Sequence, residues 1–363
     1  MPDPHDPARV IAFHLPQFHP IAENDEWWGT GFTEWTNTVK AAPLYFRHKQ
    51  PHLPADLGFY DLRLPEARAA QAKLAQRYGV SAFCYWHYWF GGRRILDRPV
   101  REVVASGEPD MPFCLGWANQ TWTGTWHGAA DRILIEQTYP GPEDDAAHFQ
   151  EVLPALADPR YLKVHGRPLF YVFRPEELPD ATEWCERWRQ MARANGLPGL
   201  YLVAEMSDLL GRGPVCDDPI ALGFDAGVYI RLPADNSPQR VLRMRARRKT
   251  HGGGPEVYPY LREPRPLPAQ YRRMPVYPAV YPNWDNTPRS GRAGLVVSGA
   301  HPDHFARHVE AAARAVSDRS PDERLVFVKS WNEWAEGNYL EPDVEHGHGW
   351  LRALAEGVEK ARS

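Results

Sequence analysis

Two carboxylates, Glu333 and Glu336, stand three positions apart at the end of the apolar run Val326-Phe-Val-Lys-Ser-Trp-Asn-Glu-Trp-Ala-Glu336. A pair of acids is the minimum equipment for breaking or transferring a glycosidic bond. One protonates the departing oxygen, and the other attacks, activates a nucleophile or stabilises the oxocarbenium-like centre. Residues three apart in a regular strand point to opposite faces. Both side chains therefore reach one pocket only if the chain leaves strand geometry near Trp334. The plainer alternative is one pocket acid and one glutamate at a helix N-terminus, where the dipole favours it. The sequence leaves both open, and the shared site is the reading carried forward.

Other chemistries lack their residues. There is no His-Glu-x-x-His, P-loop, Gly-x-Gly-x-x-Gly or Gly-x-Ser-x-Gly. His346 and His348, with Asp343 and Glu345, read as a polar loop, because no further ligand stands at metal-binding spacing. His301 and His304 read as the start of a helix. No catalytic metal and no cofactor are expected. A net charge of -4 argues against a nucleic-acid partner. No run approaches the length of a membrane span. Met1 to Val10 lacks a basic stretch followed by an apolar core, so a cytoplasmic chain is expected. The four Cys (Cys84, Cys114, Cys185, Cys216) are scattered and read as reduced thiols.

The elements that must position the two glutamates follow from periodicity. Eight short apolar runs read as strands: Val10–Phe13, Ser81–Tyr85, Phe113–Gly116, Leu169–Phe173, Leu200–Ala204, Ala226–Ile230, Ala279–Tyr281 and Leu325–Lys329. Helical patterns lie between several of them, at Pro65–Tyr78, Ala146–Leu156, Ala181–Asn195, Pro302–Val316 and Gly349–Ala361. Strands alternating with helices indicate an α/β fold, a (β/α)8 TIM barrel. A doubly wound sheet would usually show a Gly-rich turn after its first strand. Here that strand runs into His14-Leu-Pro-Gln-Phe-His19, which has no glycine. Two long loops interrupt the rhythm, residues 20–63 after strand one and residues 231–275 after strand six. The second carries Arg240, Arg243, Arg245, Arg247, Arg248 and Lys249, read as a solvated helix face, with an anionic saccharide or phosphate as the alternative ligand. With 43% hydrophobic residues, no repeat and no low-complexity linker, residues 1–363 read as a single domain.

A barrel builds its active site at the C-terminal ends of its strands. Those ends deliver polar and aromatic groups one after another. The candidates for contact with substrate are His14, Gln17, His87, Trp117, Asn119, Trp122, Tyr229, Asn283, Trp284 and Asp285, with Glu34 and Trp35 from the first long loop. Fourteen Trp and sixteen Tyr supply the flat faces against which sugar rings pack.

Four segments carry a resemblance: His14-Leu-Pro-Gln-Phe-His19, Trp28-Gly-Thr-Gly-Phe-Thr-Glu-Trp-Thr-Asn37, Asn283-Trp-Asp-Asn-Thr-Pro-Arg289 and Ser330-Trp-Asn-Glu-Trp-Ala-Glu-Gly337. They resemble the WbsX-like family, a glycoside hydrolase family 99-like domain found in bacterial polysaccharide gene clusters, and the resemblance runs from about residue 10 to 355. Family 99 enzymes are (β/α)8 barrels that cleave α-mannosides internally with retention. Their Glu-Trp-His-Glu motif is similar to Glu333-Trp-Ala-Glu336, with Ala335 in place of the His. The resemblance implies that Glu333 acts as a base on the sugar 2-hydroxyl, giving a 1,2-anhydro intermediate. It implies that Glu336 is the general acid and then the base that activates water. The function expected is a glycoside hydrolase acting on a bacterial poly- or oligosaccharide. The alternatives are a metal-independent glycosyltransferase of polysaccharide biosynthesis and a non-catalytic carbohydrate-binding barrel.

Overall fold

The computed structural model of the chain describes residues 8–124, 129–210, 215–250 and 253–362, with the backbone alone for 129–131 and 245–250. Eight parallel strands form its centre: β1 (Arg9–His14), β2 (Val80–Phe90), β3 (Phe113–Trp117), β4 (Arg167–Val172), β5 (Tyr201–Ser207), β6 (Ala226–Ile230), β7 (Val276–Val280) and β8 (Leu325–Val328). Each pairs with the next, and β1 closes the ring by lying between β8 and β2, with Ala12 beside both Val328 and Phe83. The strands are buried on both faces, so they read as continuous apolar runs rather than as alternating ones. All eight expected strands are present, and the fold is the expected (β/α)8 barrel.

The barrel is filled largely by aromatic rings. Phe13 of β1, Tyr171 of β4 and Phe327 of β8 meet edge to face or tilted, with centroids 5.0 to 6.1 Å apart, and Trp86 of β2 stacks on Phe13 at 4.8 Å. Lower down, the Tyr201 and Tyr277 hydroxyls share a hydrogen bond of 2.7 Å. Because side chains alternate along a strand, these rings fix which neighbours face inward and which face the helices outside.

The helices are α1 (Ala22–Trp28), α2 (Glu34–Lys40), α3 (Pro65–Arg77), α4 (Arg98–Ser106), α5 (Pro142–Leu156), α6 (Ala181–Ala194), α7 (Pro238–Thr250), α8 (Thr287–Ser290), α9 (Pro302–Arg314) and α10 (Gly349–Lys360). The five expected helices agree with α3, α5, α6, α9 and α10 to within a few residues. Helix α5 starts four positions before Ala146, since Pro142 suits a first turn and Glu143, Asp144 and Asp145 complement its dipole. His301 caps α9 as expected, its ring accepting from the Asp303 N–H at 3.3 Å.

The long loops build the mouth. Residues 20–63 hold α1 and α2. Residues 231–275 hold α7 and the strand Glu256–Pro259, which pairs with Leu295–Ser298; that strand in turn pairs with Trp284–Asp285. This small sheet stands over the C-terminal end of β7. The side chains of Arg245, Arg247, Arg248 and Lys249 lie outside the described residues. Among the described residues no helix is long and apolar enough to cross a membrane. All four cysteines are buried free thiols.

Candidate active site

Strand β8 ends at Val328, and the Lys329–Ser330 peptide that follows is cis. Asn332 and Glu333 then pair antiparallel with Tyr339 and Asn338, closing a tight 3-10 turn over Trp334–Glu336. The chain leaves strand geometry near Trp334, the condition for both glutamates to face one pocket. Gly337 ends the turn at φ 59°, and a Cβ there would come within 2.9 Å of the Asp285 backbone. Both the positive φ and the close approach call for glycine.

Several buried bonds hold the turn in place. The Asn332 side chain accepts from the Leu15 N–H at 2.7 Å and donates to the Leu15 carbonyl at 3.0 Å. Trp334 stacks on Tyr339 at 3.8 Å and donates its indole N–H to Glu341 at 2.7 Å. Glu341 also accepts from Tyr60 at 2.9 Å and Gln71 at 2.7 Å. Burial pushes its carboxyl up to about 7, against those hydrogen bonds.

The two glutamates differ in environment. Glu333 accepts from the Trp86 indole N–H at 3.1 Å and the Ser330 hydroxyl at 3.2 Å. Burial alone would raise its pKa, but a hydrogen bond from Glu336, the charges of Lys329 and Arg289 and the Trp86 bond together hold it below the ordinary value. Glu336 is pushed well above its ordinary value by burial and by the Glu333 charge, against the opposing pull of Arg289. The two environments therefore push the carboxyls in opposite directions, Glu333 down and Glu336 up.

Arg289, at the end of α8, ties this pair to the first loop. It donates to Glu336 at 2.6 Å and to Glu34 at 2.7 Å. Glu34 is fully buried and also accepts from the Ala335 N–H at 3.0 Å. Burial raises its pKa in spite of Arg289. Beneath lies Lys329, 3.7 Å from Glu205 and packed over the rings of Phe13, Trp86 and Phe173. Glu205 accepts from the Tyr171 hydroxyl at 2.5 Å. Burial and the charges of Glu205, Glu336 and Glu333 raise the Tyr281 phenol, whose buried hydroxyl has no partner among the described residues.

The substrate-contact candidates divide. Glu34 adjoins the turn that carries Glu333 and Glu336. Gln17 is buried behind it, its carbonyl capping the Glu34 N–H at 2.8 Å. Trp284 lies edge-on to Tyr281 at 5.9 Å, and Asn283 beside it is half-buried. Trp122 is half-buried against Tyr88 and Trp27. The others turn away from the barrel axis or are spent in structure. His14 points outward to Gln71 of α3, and burial lowers its pKa to about 4. His87 faces His148 of α5 at 2.7 Å. Trp117 packs between Trp184 and His148. Tyr229 joins Met206, Tyr271 and Val276 outside the barrel wall and donates to Asp208. Trp35 packs on Phe18, Tyr60 and Trp334 as core. Asn119 clamps the Arg174 backbone. Asp285 is held by His48, Gln50 and Thr287, bonds that outweigh burial and keep its pKa low.

Missing from that set were Arg289, Lys329, Tyr281, Trp86 and Ser330. A lysine inside an otherwise apolar strand, two positions after the inward Phe327, was the clearest overlooked signal. His346 hydrogen-bonds Asp343 and His348 bonds Asp56 and Tyr78. Among the described residues no group of three His, Cys, Asp or Glu could hold a metal ion.

Fold and site together give a (β/α)8 barrel with two glutamates on the turn that follows its last strand. The structure is similar to the GH99 endo-α-mannosidase of Bacteroides thetaiotaomicron, at TM-score 0.60 and 15% identity over 99% of this chain and 98% of that one. It is similarly close to a glycoside hydrolase-like protein, at TM-score 0.60 and 14% identity over 96% and 93% of the two chains. At such identities the likeness concerns the fold. The chain itself belongs to the WbsX family, whose model, described as glycosyltransferase WbsX, matches residues 10–354. It is 40% identical over 364 residues to the uncharacterized protein WxcX of Xanthomonas campestris pv. campestris strain B100, covering 98% of this chain and 50% of that protein. The WxcX protein of a second strain of that pathovar matches at 40% over 362 residues, with the same coverage. The chain spans about half the length of the curated relatives it matches.

Proposed function

We propose that the chain is a glycoside hydrolase that cleaves a bacterial poly- or oligosaccharide with retention, through a 1,2-anhydro sugar. The observation that carries this reading is a pair of carboxylates on one turn in different settings, Glu333 accepting from Trp86 and Ser330 and Glu336 from Arg289, with pKa values pushed in opposite directions. Pairs of acids driven apart in pKa divide into base and acid. Glu333 takes the proton from the sugar 2-hydroxyl, and that oxygen attacks C1. The C1–O bond to the leaving group breaks as Glu336 gives the departing oxygen its proton. Water then opens the three-membered ring at C1, losing a proton to Glu336 while O2 recovers one from Glu333. Two inversions give net retention, and the route needs no protein nucleophile.

Arg289 fits this chemistry. Glu336 becomes an anion only as it gives up its proton, and a guanidinium already 2.6 Å away meets that charge without reorganisation. Trp122, Asn283, Trp284 and the Tyr281 hydroxyl, unpartnered among the described residues, are the proposed sugar contacts.

The test is release of new reducing ends from a panel of bacterial polysaccharides and synthetic glycosides. Glu336→Gln should lose about 100-fold to 10,000-fold of the wild-type rate, the range for removing a general acid, and Glu333→Gln should lose as much. Equal release by wild type and Glu336→Gln would remove the acid from Glu336. The family description supports a second reading, transfer to a sugar hydroxyl in place of water. Consumption of a nucleotide sugar by wild type in the presence of an acceptor, with no hydrolysis, would establish that reading instead.

A further inference from the structure

The first long loop and α7 enclose a cleft of about 610 Å³ at the mouth of the barrel. Its walls include Tyr45 and Phe46 from the loop, Arg240 and Arg243 from α7, and Arg292 from the turn after α8. Its floor is the small sheet, through Val257, Pro259 and Ser298. No carboxylate lines it among the described residues, in a chain whose net charge is -4. Arg240 is balanced by Asp235 at 3.3 Å. Arg243 and Arg292 have no carboxylate partner among the described residues. Phe46 is 85% exposed, with the Arg47 guanidinium over its ring at 5.3 Å. An exposed aromatic face beside unpaired guanidinium forks suits a ligand with flat C–H surfaces and anionic groups.

Two connections tie the cleft to the catalytic turn. Tyr45 stacks on His48 at 4.4 Å, and His48 bonds Asp285, whose backbone abuts Gly337. On the other side, one short segment carries Arg289 inward to Glu336 and, three positions on, Arg292 outward into the cleft. The cleft therefore adjoins the segments that hold the turn with Glu333 and Glu336. We propose that this cleft is a subsite for an acidic sugar, so that the substrate class is an anionic saccharide whose carboxylate pairs with Arg243 and Arg292 while its ring rests on Phe46. The proposal rests on the hydrolase reading for its account of the substrate, but its test needs no turnover.

The experiment is calorimetric titration of the chain with tetragalacturonate and with a hyaluronan tetrasaccharide, each beside its uncharged methyl ester. Wild type should bind at least one acid form about tenfold more tightly than its ester, the scale of one charge-assisted bond. The double variant Arg243→Gln/Arg292→Gln, its fold checked by circular dichroism, should bind acid and ester alike. Equal binding of acid and ester by wild type, an undiminished preference in the double variant, or no binding of any of the four at millimolar concentration would each overturn the subsite. Charge-dependent binding without cleavage would overturn the hydrolase and leave the subsite standing; cleavage of neutral glycans with no charge preference would do the reverse.

Discussion

Replacing Arg289 with Gln tests the electrostatic reasoning directly. Arg289 is 8% exposed on its side chain and is bonded to two carboxylates, Glu34 and Glu336. Removing one partner of a buried ion pair typically costs about 3–5 kcal/mol, because the other charge is left uncompensated. Here the cost has a ceiling, since an orphaned carboxylate can take a proton. Burial and Glu333 already push Glu336 toward its protonated form, so the cost worked here is that of neutralising Glu34. Giving a proton at pH 7 to a group whose unfolded pKa is about 4.3 costs about 3.7 kcal/mol, at about 1.4 kcal/mol per unit. At pH 5 the same step costs about 1 kcal/mol. The sign follows from proton counting. Glu34 without Arg289 has a folded pKa raised further above its unfolded one, so the folded state binds the extra proton. Stability is then fully present below the unfolded value and is lost as pH rises through the folded one. Urea unfolding of wild type and Arg289→Gln at both pH values should therefore show a deficit of up to about 3.7 kcal/mol at pH 7, shrinking to about 1 kcal/mol at pH 5. A deficit equal at the two pH values, or larger at pH 5, would refute the assignment of Arg289 as counter-charge to buried Glu34.

Two further outcomes follow from the same groups. Activity on a glycoside should fall at high pH as Glu336 loses its proton and at low pH as Glu333 gains one. In Glu333→Gln the high-pH limb of the residual rate should move toward neutrality, because the anion that helps raise Glu336 is gone; a limb that stays put would place the acid on another group. Glu341, raised by burial from 4.5 to about 7, holds its proton more tightly when folded, so it costs the wild type about 3 kcal/mol as pH rises from below 5 to above 7. Glu341→Gln should flatten that part of the stability curve, and an unchanged slope in urea titrations from pH 5 to 8 would show that Glu341 is not its source.

The barrel was legible because parallel strands buried on both faces must be apolar throughout. Val10–Phe13 and Phe113–Gly116 could hardly have been anything else in a chain with helices between them, whereas Ala226–Ile230 carried the weakest pattern of the eight. The turn at Trp334 was legible only conditionally: two acids three apart cannot share a pocket on a straight strand, so a shared site demanded a departure from strand geometry there, while one pocket acid and one helix N-terminal glutamate did not. Less was visible where loops bring distant residues together. Nothing local in Glu34 announces Arg289, 255 positions away, as its partner. The strand Glu256–Pro259 was hidden in a proline-rich loop because it is stabilised by pairing with Leu295–Ser298 rather than by its own pattern.

The division among the substrate-contact candidates has one physical cause for the strand residues. A strand end offers polar and aromatic side chains to both faces, and only every second one enters the barrel. Phe13 faces in, so His14 must face α3; Trp86 reaches Glu333, so His87 must face α5. Trp117 and Tyr229 fall on the outward parity for the same reason. The outward set still needs polar and aromatic character, because the barrel–helix layer here is built from hydrogen-bonded histidines and indoles rather than from aliphatic packing alone. A polar group at a strand end therefore points to the active site only once its parity is known. In this sequence one marker supplies it for β8. Lys329 shares the parity of the inward Phe327, and that pair alone places the cation beneath Glu333.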